Sequence, residues 1–221
     1  MAKPILHIGN MNYSSWSMRP WLALKWAGIE FETRVIPLGG EGYRRQQIPA
    51  ITAVSPSGRV PVLHVDGLVI HDSLAICEWA AEQNPGLWPK DAGARALARA
   101  AAAEMHSGFP YIRRDMSMNI RRRLEKEPAW PEETHAELVR LFTLWEGMLE
   151  RFGGPFLGGG RSNVDAMYAP VVTRLRTYAV SLPDVVRAYS DAILADAAFK
   201  EWEAGALKEI WTIADADALY T

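Results

Sequence analysis

This chain of 221 residues has a single cysteine, no long apolar run and little net charge. Its single cysteine, Cys77, excludes an internal disulfide bond and fits a reducing compartment. No stretch approaches the roughly 18 consecutive apolar residues of a membrane span. His7 and Gly9 interrupt the short apolar run near the start, so no signal peptide is predicted. These absences favour a cytoplasmic protein without a membrane partner.

Histidine and uncompensated basic charge are also sparse. Five histidines occur without the paired spacing of a metal site, so no bound metal is predicted. The formal net charge of −2 gives no general attraction to nucleic acid. Arginines cluster at 113–114 and 121–123, but acidic residues flank them, which favours a solvated helix face over nucleic-acid binding.

The first 84 residues alternate between strand and helix patterns. Asp66-Gly67 between two apolar runs is a strong hairpin signal. The first two strands need a right-handed crossover and should be parallel, whereas the hairpin adds an antiparallel pair, so we expect a small mixed sheet with helices packed on it. The predicted elements are a strand at 4–9, a helix at 17–28, a strand at 31–36, a possible short helix at 41–47, hairpin strands at 60–65 and 68–70, and a helix at 72–83.

Strand signals vanish after residue 90, and the rest of the chain is predicted to be all-helical. The stretch 91–124 is interpreted as one helix broken near Pro110, or as two helices. A further helix is predicted at 131–152, and Ser162 with Asp165 has the spacing of a capping box. A linker at 84–92 separates the halves. We therefore predict domains at 1–84 and 93–221.

Three serines stand where the first strand turns into the first helix. Ser14, Ser15 and Ser17 are good helix caps, because a serine hydroxyl satisfies a free backbone N–H. The same helix end carries partial positive charge and attracts anions. A hydroxyl at this point can stabilise a thiolate. One cap needs only one serine, so a binding role for the others is about as well supported as a structural one.

Two further motifs fall in the same half. Arg59-Val60-Pro61 begins a strand, and a cis bond before Pro61 would leave the Val60 backbone free to pair with a peptide-like ligand, although trans bonds are the commoner form. Asp72-Ser73 begins a helix, where the carboxylate can take an ammonium group and the hydroxyl a carboxylate. A simple helix cap is the alternative interpretation of Asp72-Ser73.

Taken together, these motifs resemble the glutathione transferase superfamily, and in particular serine-type bacterial members related to the zeta class, which includes maleylacetoacetate isomerase. The match is in register through most of residues 4–84, and the helix start at 162–165 followed by Pro170 extends it more weakly into the second half. The matching motifs are Ser14-Ser15-x-Ser17-x-Arg19, Gly58-Arg59-Val60-Pro61-Val62-Leu63 and Val65-Asp66-Gly67-x4-Asp72-Ser73-Leu74-Ala75-Ile76.

The resemblance implies a thioredoxin-like N-terminal domain that binds glutathione and a helical C-terminal domain that shapes the pocket for an electrophile. It implies that Ser14, or alternatively Ser15, donates to the glutathione sulfur, and that Ser17 is the structural cap. It further implies that Val60 pairs with the cysteinyl backbone beside a cis Pro61. Asp72 and Ser73 would hold the γ-glutamyl end. A homodimer is implied as well.

The residues of the electrophile pocket are less well defined by the sequence. Met105, His106 and Phe109 lie within about one turn of a helix and are candidates, with core packing the alternative for the methionine and the phenylalanine. Arg176 is a further candidate, because zeta-like members carry an arginine near here that meets a substrate carboxylate. The spacing does not match cleanly, and a solvated surface is the default interpretation of both Arg174 and Arg176.

Trp16 stands where zeta-like members usually carry cysteine, so the chain has no active-site thiol of its own. The favoured hypothesis is a glutathione transferase that activates the glutathione thiolate for attack on small electrophiles. A glutathione-dependent isomerase of the maleylacetoacetate type and a non-catalytic binding protein with the same fold are the alternatives.

Overall fold

The computed structural model describes residues 3–40 and 47–220, and its first part alternates strand and helix as predicted. The possible helix at 41–47 lies almost entirely outside the described residues. A short helix at 49–52 was not predicted. The elements of this part are β1 (Ile5–Ile8), α1 (Ser15–Trp26), β2 (Glu32–Val35), α2 (Pro49–Thr52), β3 (Val62–Val65), β4 (Leu68–His71) and α3 (Ser73–Gln83).

The four strands form one mixed sheet in the order β2-β1-β3-β4. β1 and β2 are parallel, whereas β1 with β3 and β3 with β4 are antiparallel, which confirms the predicted pairing. The β3–β4 turn has positive φ at both Asp66 (46°) and Gly67 (80°). This geometry matches the right-handed twist of the two strands and explains why the Asp-Gly pair is found there.

The regular elements of the second part of the chain are helices, as expected. A helix continuing to residue 124 is wrong, however, because the segment 116–131 is not helical and several of its backbone N–H groups donate to distant partners. The Leu124 N–H donates to the Thr177 carbonyl (2.8 Å), and the Arg121 N–H donates to the Asn12 side chain (2.9 Å). The helices are α4 (Ala92–Ser107), α5 (Pro110–Asp115), α6 (Glu132–Phe152), α7 (Asn163–Thr177), α8 (Asp184–Ala195), α9 (Ala197–Lys208) and α10 (Ala214–Asp217).

Helix α1 is the element that joins the two halves. It packs against α3 on the sheet side and against α7 on the helical side, and Met18, Leu22 and Leu24 on it are fully buried. Burial of each such side chain contributes about 1.5–3 kcal/mol. The N-terminal end of α1 therefore opens at the junction between the sheet and the helices. No helix in the described ranges is long and apolar enough to cross a membrane.

Candidate active site

A cavity of about 300 Å³ lies at the N-terminal end of α1. The serine-bearing start of the helix forms one wall, and the segment after α5, helix α7 and the C-terminal segment form the others. Serine and arginine side chains share the lining with leucine, methionine and isoleucine, which suits a small ligand that carries polar groups. The lining residues are Tyr13, Ser14, Ser15, Trp16, Leu38, Arg113, Ser117, Met118, Arg174, Ile213 and Ala216.

The start of α1 differs from the prediction in a way that matters for the site. The helix begins at Ser15, two residues earlier than predicted, and Ser14 occupies the cap position without a side-chain cap hydrogen bond. Ser17 was expected to be the structural cap, which is wrong, because it lies inside the first turn. Its hydroxyl oxygen accepts from the Gly9 N–H (3.0 Å) and lies 2.8 Å from the Ser14 hydroxyl oxygen.

These contacts orient the hydroxyl groups. With Gly9 donating to Ser17, the Ser17 hydroxyl can donate to Ser14 and leave the Ser14 proton free for a ligand. Ser15 accepts a hydrogen bond from the Arg174 guanidinium (3.1 Å), so its own proton is free as well. Both serines are at least nine-tenths buried and both line the cavity. Two hydroxyl donors therefore converge at a helix N-terminus.

Gly9 is the residue that lets β1 end so close to these serines. A Cβ built at this position would lie 3.2 Å from the Ser14 Cβ and 2.5 Å from the Leu38 Cδ1. The second distance is shorter than real carbon atoms tolerate, so any larger residue would force the Leu38 side chain, which lines the cavity, to move. The close approach in turn lets the Gly9 N–H reach Ser17.

Two arginines line the cavity, and neither forms an ion pair with a carboxylate in the described ranges. Arg174 is almost fully buried and donates to the Met116 carbonyl and to Ser15. Burial, with the charge of Arg113 close by, lowers the pKa of Arg174 to about 10, so it remains a cation at neutral pH. Burial also lowers the pKa of Arg113. The cavity is therefore positively charged and suits an anionic ligand.

The two arginines of α7 reverse the sequence-based interpretation. Arg174 was expected on the solvated surface, which is wrong. Arg176, the pocket candidate, does not line the cavity and pairs with Glu203. Residues two apart on a helix point to nearly opposite sides. Arg174 lies one turn after the buried Pro170 on the same face of α7.

The pocket candidates on α4 and at the start of α5 do not line the cavity. Met105 and Phe109 are part of the core, 1% and 5% exposed. His106 lies beside the cavity: its ring meets Trp16 edge-on, with 5.4 Å between centroids, and its Nε2 is 3.5 Å from an Asp72 oxygen. Burial lowers the pKa of His106, while the Asp72 carboxylate opposes that shift.

The candidate glutathione contacts lie outside the cavity lining. The Val60–Pro61 bond is cis, as the resemblance implied. Asp72 caps α3 by accepting from the Leu74 N–H (2.7 Å) at a positive φ of 80°. The Ser73 hydroxyl is buried and has no hydrogen-bond partner in the described ranges. Arg59 is exposed.

The C-terminal segment covers one side of the cavity and was missed from the sequence. Ile213 and Ala216 line the cavity, and Arg121 holds the segment by donating to the carbonyls of Glu209 (2.6 Å) and Trp211 (2.7 Å). Arg122 donates to the Asp217 carbonyl (2.8 Å). The interpretation of the 121–123 arginines as a solvated helix face is therefore wrong. These contacts join residues about 90 positions apart, which local patterns do not report.

Comparison with known proteins agrees with this architecture. The family model described as "Glutathione S-transferase, N-terminal domain" matches residues 13–83. The maleylacetoacetate isomerase of Mus musculus is 30% identical over 184 residues, covering 82% of each chain. That of Rattus norvegicus is 29% identical over 207 residues, covering 90% of this chain and 91% of the relative.

Solved structures agree on the fold. A glutathione transferase homolog from Burkholderia, with bound glutathione, has a TM-score of 0.68 at 23% identity, and covers 95% of this chain and 100% of its own. A glutathione S-transferase from the Antarctic clam Laternula elliptica has a TM-score of 0.67 at 18% identity, with 99% of each chain covered.

These matches, together with the fold and the cavity, define the class of protein: the chain belongs to the glutathione S-transferase superfamily, a group of glutathione-dependent enzymes. Within that superfamily it is a zeta-like member, since the relatives that match along most of its length are maleylacetoacetate isomerases.

Proposed function

We propose that this protein binds glutathione with the sulfur at the N-terminus of α1 and uses the thiolate against a small, carboxylate-bearing electrophile. The observation that carries the proposal is the meeting of two hydroxyl donors, Ser14 and Ser15, with two arginines that lack carboxylate partners, Arg113 and Arg174, in one cavity of about 300 Å³. The sulfur and the anionic groups of a substrate each have matching partners there.

The proposed role of the serine hydroxyl groups is to lower the pKa of the glutathione thiol. A free thiol has a pKa of about 8.5, so only a few per cent is thiolate at neutral pH, and the thiolate is the nucleophile. A hydrogen bond from Ser14, with Ser15 as the alternative donor, favours the charged form and lowers that pKa. Each unit of lowering raises the thiolate fraction about tenfold while it is small. The serine acts as a donor and stays protonated.

The glutathione backbone is assigned to the neighbouring surface. We propose that Val60, preceding the cis Pro61, pairs with the cysteinyl backbone, and that Asp72 and the unpartnered Ser73 hydroxyl hold the γ-glutamyl end. Arg59 is the remaining candidate on this side. The ammonium of the ligand would meet the Asp72 carboxylate, which already faces the His106 ring.

The proposed role of Arg113 and Arg174 is to bind the acidic groups of the substrate. A guanidinium binds a carboxylate with two parallel hydrogen bonds, so Arg113 and Arg174 suit a substrate with one or two acidic groups. The relatives are isomerases of such a compound. In an isomerisation the thiolate adds to a carbon of an activated cis double bond, the resulting single bond rotates, and the thiolate leaves again, so that glutathione is regenerated and no net bond is formed.

Trp16 favours a second candidate, conjugation. The resemblance to zeta-like members implies a cysteine at the position of Trp16, and Trp16 lines the cavity on the serine side. In conjugation the same adduct takes up a proton at the neighbouring carbon and is released as a thioether. The two candidates share every step up to the adduct and differ in its fate.

The test measures turnover by the protein of glutathione with maleylacetoacetate or maleylpyruvate, and in parallel of glutathione with a neutral aromatic electrophile. We expect glutathione-dependent turnover of the acidic compounds, with the trans isomer or the thioether identifying the outcome. Ser14→Ala or Ser15→Ala should reduce turnover at least about tenfold. Ser107→Ala, on the exposed end of α4, is the matched control. Full activity in both active-site variants would contradict the role of the hydroxyls.

Family membership supports three further proposals. We infer that the chain forms a homodimer, that it works in the cytoplasm, and that residues 1–84 and 93–221 are its two domains. Sedimentation tests the first: a monomer would sediment at 24.6 kDa and a dimer at twice that mass. Cell fractionation tests the second, and limited proteolysis at the 84–92 linker tests the third.

A further inference from the structure

Arg19 is an unusual residue beneath the active site. It lies on α1 one turn after Ser15 and is fully buried. None of its three guanidinium nitrogens has a hydrogen-bond partner in the described ranges, and no carboxylate there forms an ion pair with it. Its close contact is with an aromatic ring, since the guanidinium carbon lies 4.3 Å from the centroid of Trp16.

Such an arrangement lowers the stability of the folded state. A buried cation without a partner gives up its hydration and receives only the cation–π contact in return. A long apolar side chain such as methionine would fill the same space without this cost, and replacing buried ionic groups by apolar ones is often neutral or stabilising. Stability alone therefore does not account for an arginine at this position.

The surroundings do not neutralise the charge. The titratable groups around Arg19 are Asp72 and Cys77 near and on α3, His106 on α4, Arg113 on α5, and Tyr168 and Arg174 on α7. Tyr168 is a neutral phenol, because burial raises its pKa above the ordinary value. Asp72 is half-exposed and Cys77 is a neutral thiol, because burial raises its pKa far above the usual range. Three guanidinium groups thus face one carboxylate across the start of α1.

Trp16 keeps this charge dry. Its ring lies over the guanidinium of Arg19, and the Arg113 guanidinium carbon lies 4.8 Å from the same ring. The tryptophan lines the cavity and is itself 38% exposed, whereas the arginine against its ring is fully buried, so the ring covers the cation on that side. A charge in a poorly hydrated site acts over a longer distance than one in water. The arginine's field therefore reaches the N-terminal end of α1.

We propose that Arg19 is a positioning residue whose buried, unpaired charge stabilises the glutathione thiolate from beneath Trp16, without touching the sulfur. This inference rests on the proposed function, because it requires a thiolate at the start of α1. It also gives Trp16 a role, because the indole covers the cation and limits its contact with water.

The test compares Arg19→Met with Arg176→Met in the full chain, with glutathione as the probe. The pKa of the bound thiol is followed by the ultraviolet absorbance of the thiolate, and stability by urea unfolding. In Arg19→Met we expect the thiol pKa to rise by about one unit, which means a thiolate fraction about tenfold lower below that pKa. The urea midpoint should equal or exceed that of the unaltered protein.

Arg176→Met is the matched control. Arg176 is on α7, but it does not line the cavity, and it pairs with the carboxylate of Glu203. This variant should unfold at lower urea and leave the thiol pKa unchanged. An unfolded or destabilised Arg19→Met would overturn the inference, since Arg19 would then be structural. A folded Arg19→Met that no longer binds glutathione would also overturn it, because Arg19 would then hold the ligand.

The two proposals fail separately. If the unaltered protein binds no glutathione, or leaves its thiol at the solution pKa, the proposed function fails. If the unaltered protein lowers that pKa and Arg19→Met lowers it equally, only the role of Arg19 fails.

Discussion

Ser14 precedes α1 and Ser162 precedes α7, and both serines are buried at the start of a long helix. At α7 the polar groups satisfy one another: the Asp165 carboxylate accepts from the Ser162 N–H (3.0 Å), the Ser162 hydroxyl (2.9 Å) and the Leu157 N–H (2.9 Å). At α1 the first turn contains no acidic residue, and Ser14 makes no cap bond.

The difference shows how one residue type serves two purposes. A carboxylate three residues into α7 closes that helix end with internal partners, which makes it a folding element. Without such a carboxylate, the start of α1 leaves hydroxyl protons and a positive helix end for an outside anion. We therefore expect substitutions at α7 to act on stability and those at α1 to act on activity.

The largest effect on the free energy of unfolding is expected from Asp165→Ala. The change leaves three buried donors without their acceptor, and each such group costs about 1–3 kcal/mol. The free energy of unfolding should fall by about 3 kcal/mol or more, measured by urea denaturation. Asp184→Ala, an exposed carboxylate in the first turn of α8, should change it by at most about 1 kcal/mol. Equal losses in the two variants would contradict the special role of Asp165.

The pH dependence of stability comes next. Burial raises the pKa of Asp165 from 3.8 to about 7, although its three donors oppose the shift. Between these values the folded state binds the proton and the unfolded state does not, so stability is highest below about pH 4 and is lost as the pH rises towards 7. The slope from this group is at most about 1.4 kcal/mol per pH unit.

Asp165→Asn removes the titrating group and is the test of this slope. Unfolding free energies of the two proteins, measured from about pH 4 to about pH 8, should converge or cross as the pH rises and then run parallel above about pH 7. A difference that is constant across the whole range would show that Asp165 is ionised throughout.

Ser162→Ala should have a moderate effect on stability. The hydroxyl is one of three donors to Asp165, and loss of a helix-cap serine costs about 0.5–2 kcal/mol. The remaining two donors keep the carboxylate in place, so the loss should be smaller than in Asp165→Ala. Thermal or urea unfolding measures it, and turnover per folded molecule should be unchanged. A loss of turnover at constant stability would mean that this helix end is coupled to the cavity.

Local signals in the sequence were enough to predict the elements around the starts of α1 and α7. The Asp66-Gly67 turn, the Asp72 cap and the spacing of Ser162 to Asp165 each act within four residues, so the chain itself reports them. The mixed sheet follows from the same local patterns, and the resemblance to a known superfamily implied the cis bond before Pro61.

The walls of the cavity were beyond such signals. Arg174 reaches Ser15 from 159 positions away, and Ile213 enters the cavity on a segment that Arg121 holds. Whether an arginine lies in solvent or in a pocket depends on which face of its helix is covered, and that is decided by the packing of α7 on α1. The serines could be located from the sequence, but their partners could not.

Ser14→Ala should have a small effect on stability and a large effect on turnover, and this contrast separates the two helix starts most clearly. Ser17 keeps its bond from the Gly9 N–H in this variant, but its buried hydroxyl loses the Ser14 oxygen as a partner, so the free energy of unfolding should fall by about 1 kcal/mol. Ser17→Ala is the informative companion, because it leaves the buried Gly9 N–H without an acceptor and should cost about 1–3 kcal/mol. Urea unfolding of both variants, beside their turnover with glutathione, checks the pattern. A Ser14→Ala protein that loses stability but keeps full turnover per folded molecule would mean that both helix ends are structural, and it would contradict anion binding at the start of α1.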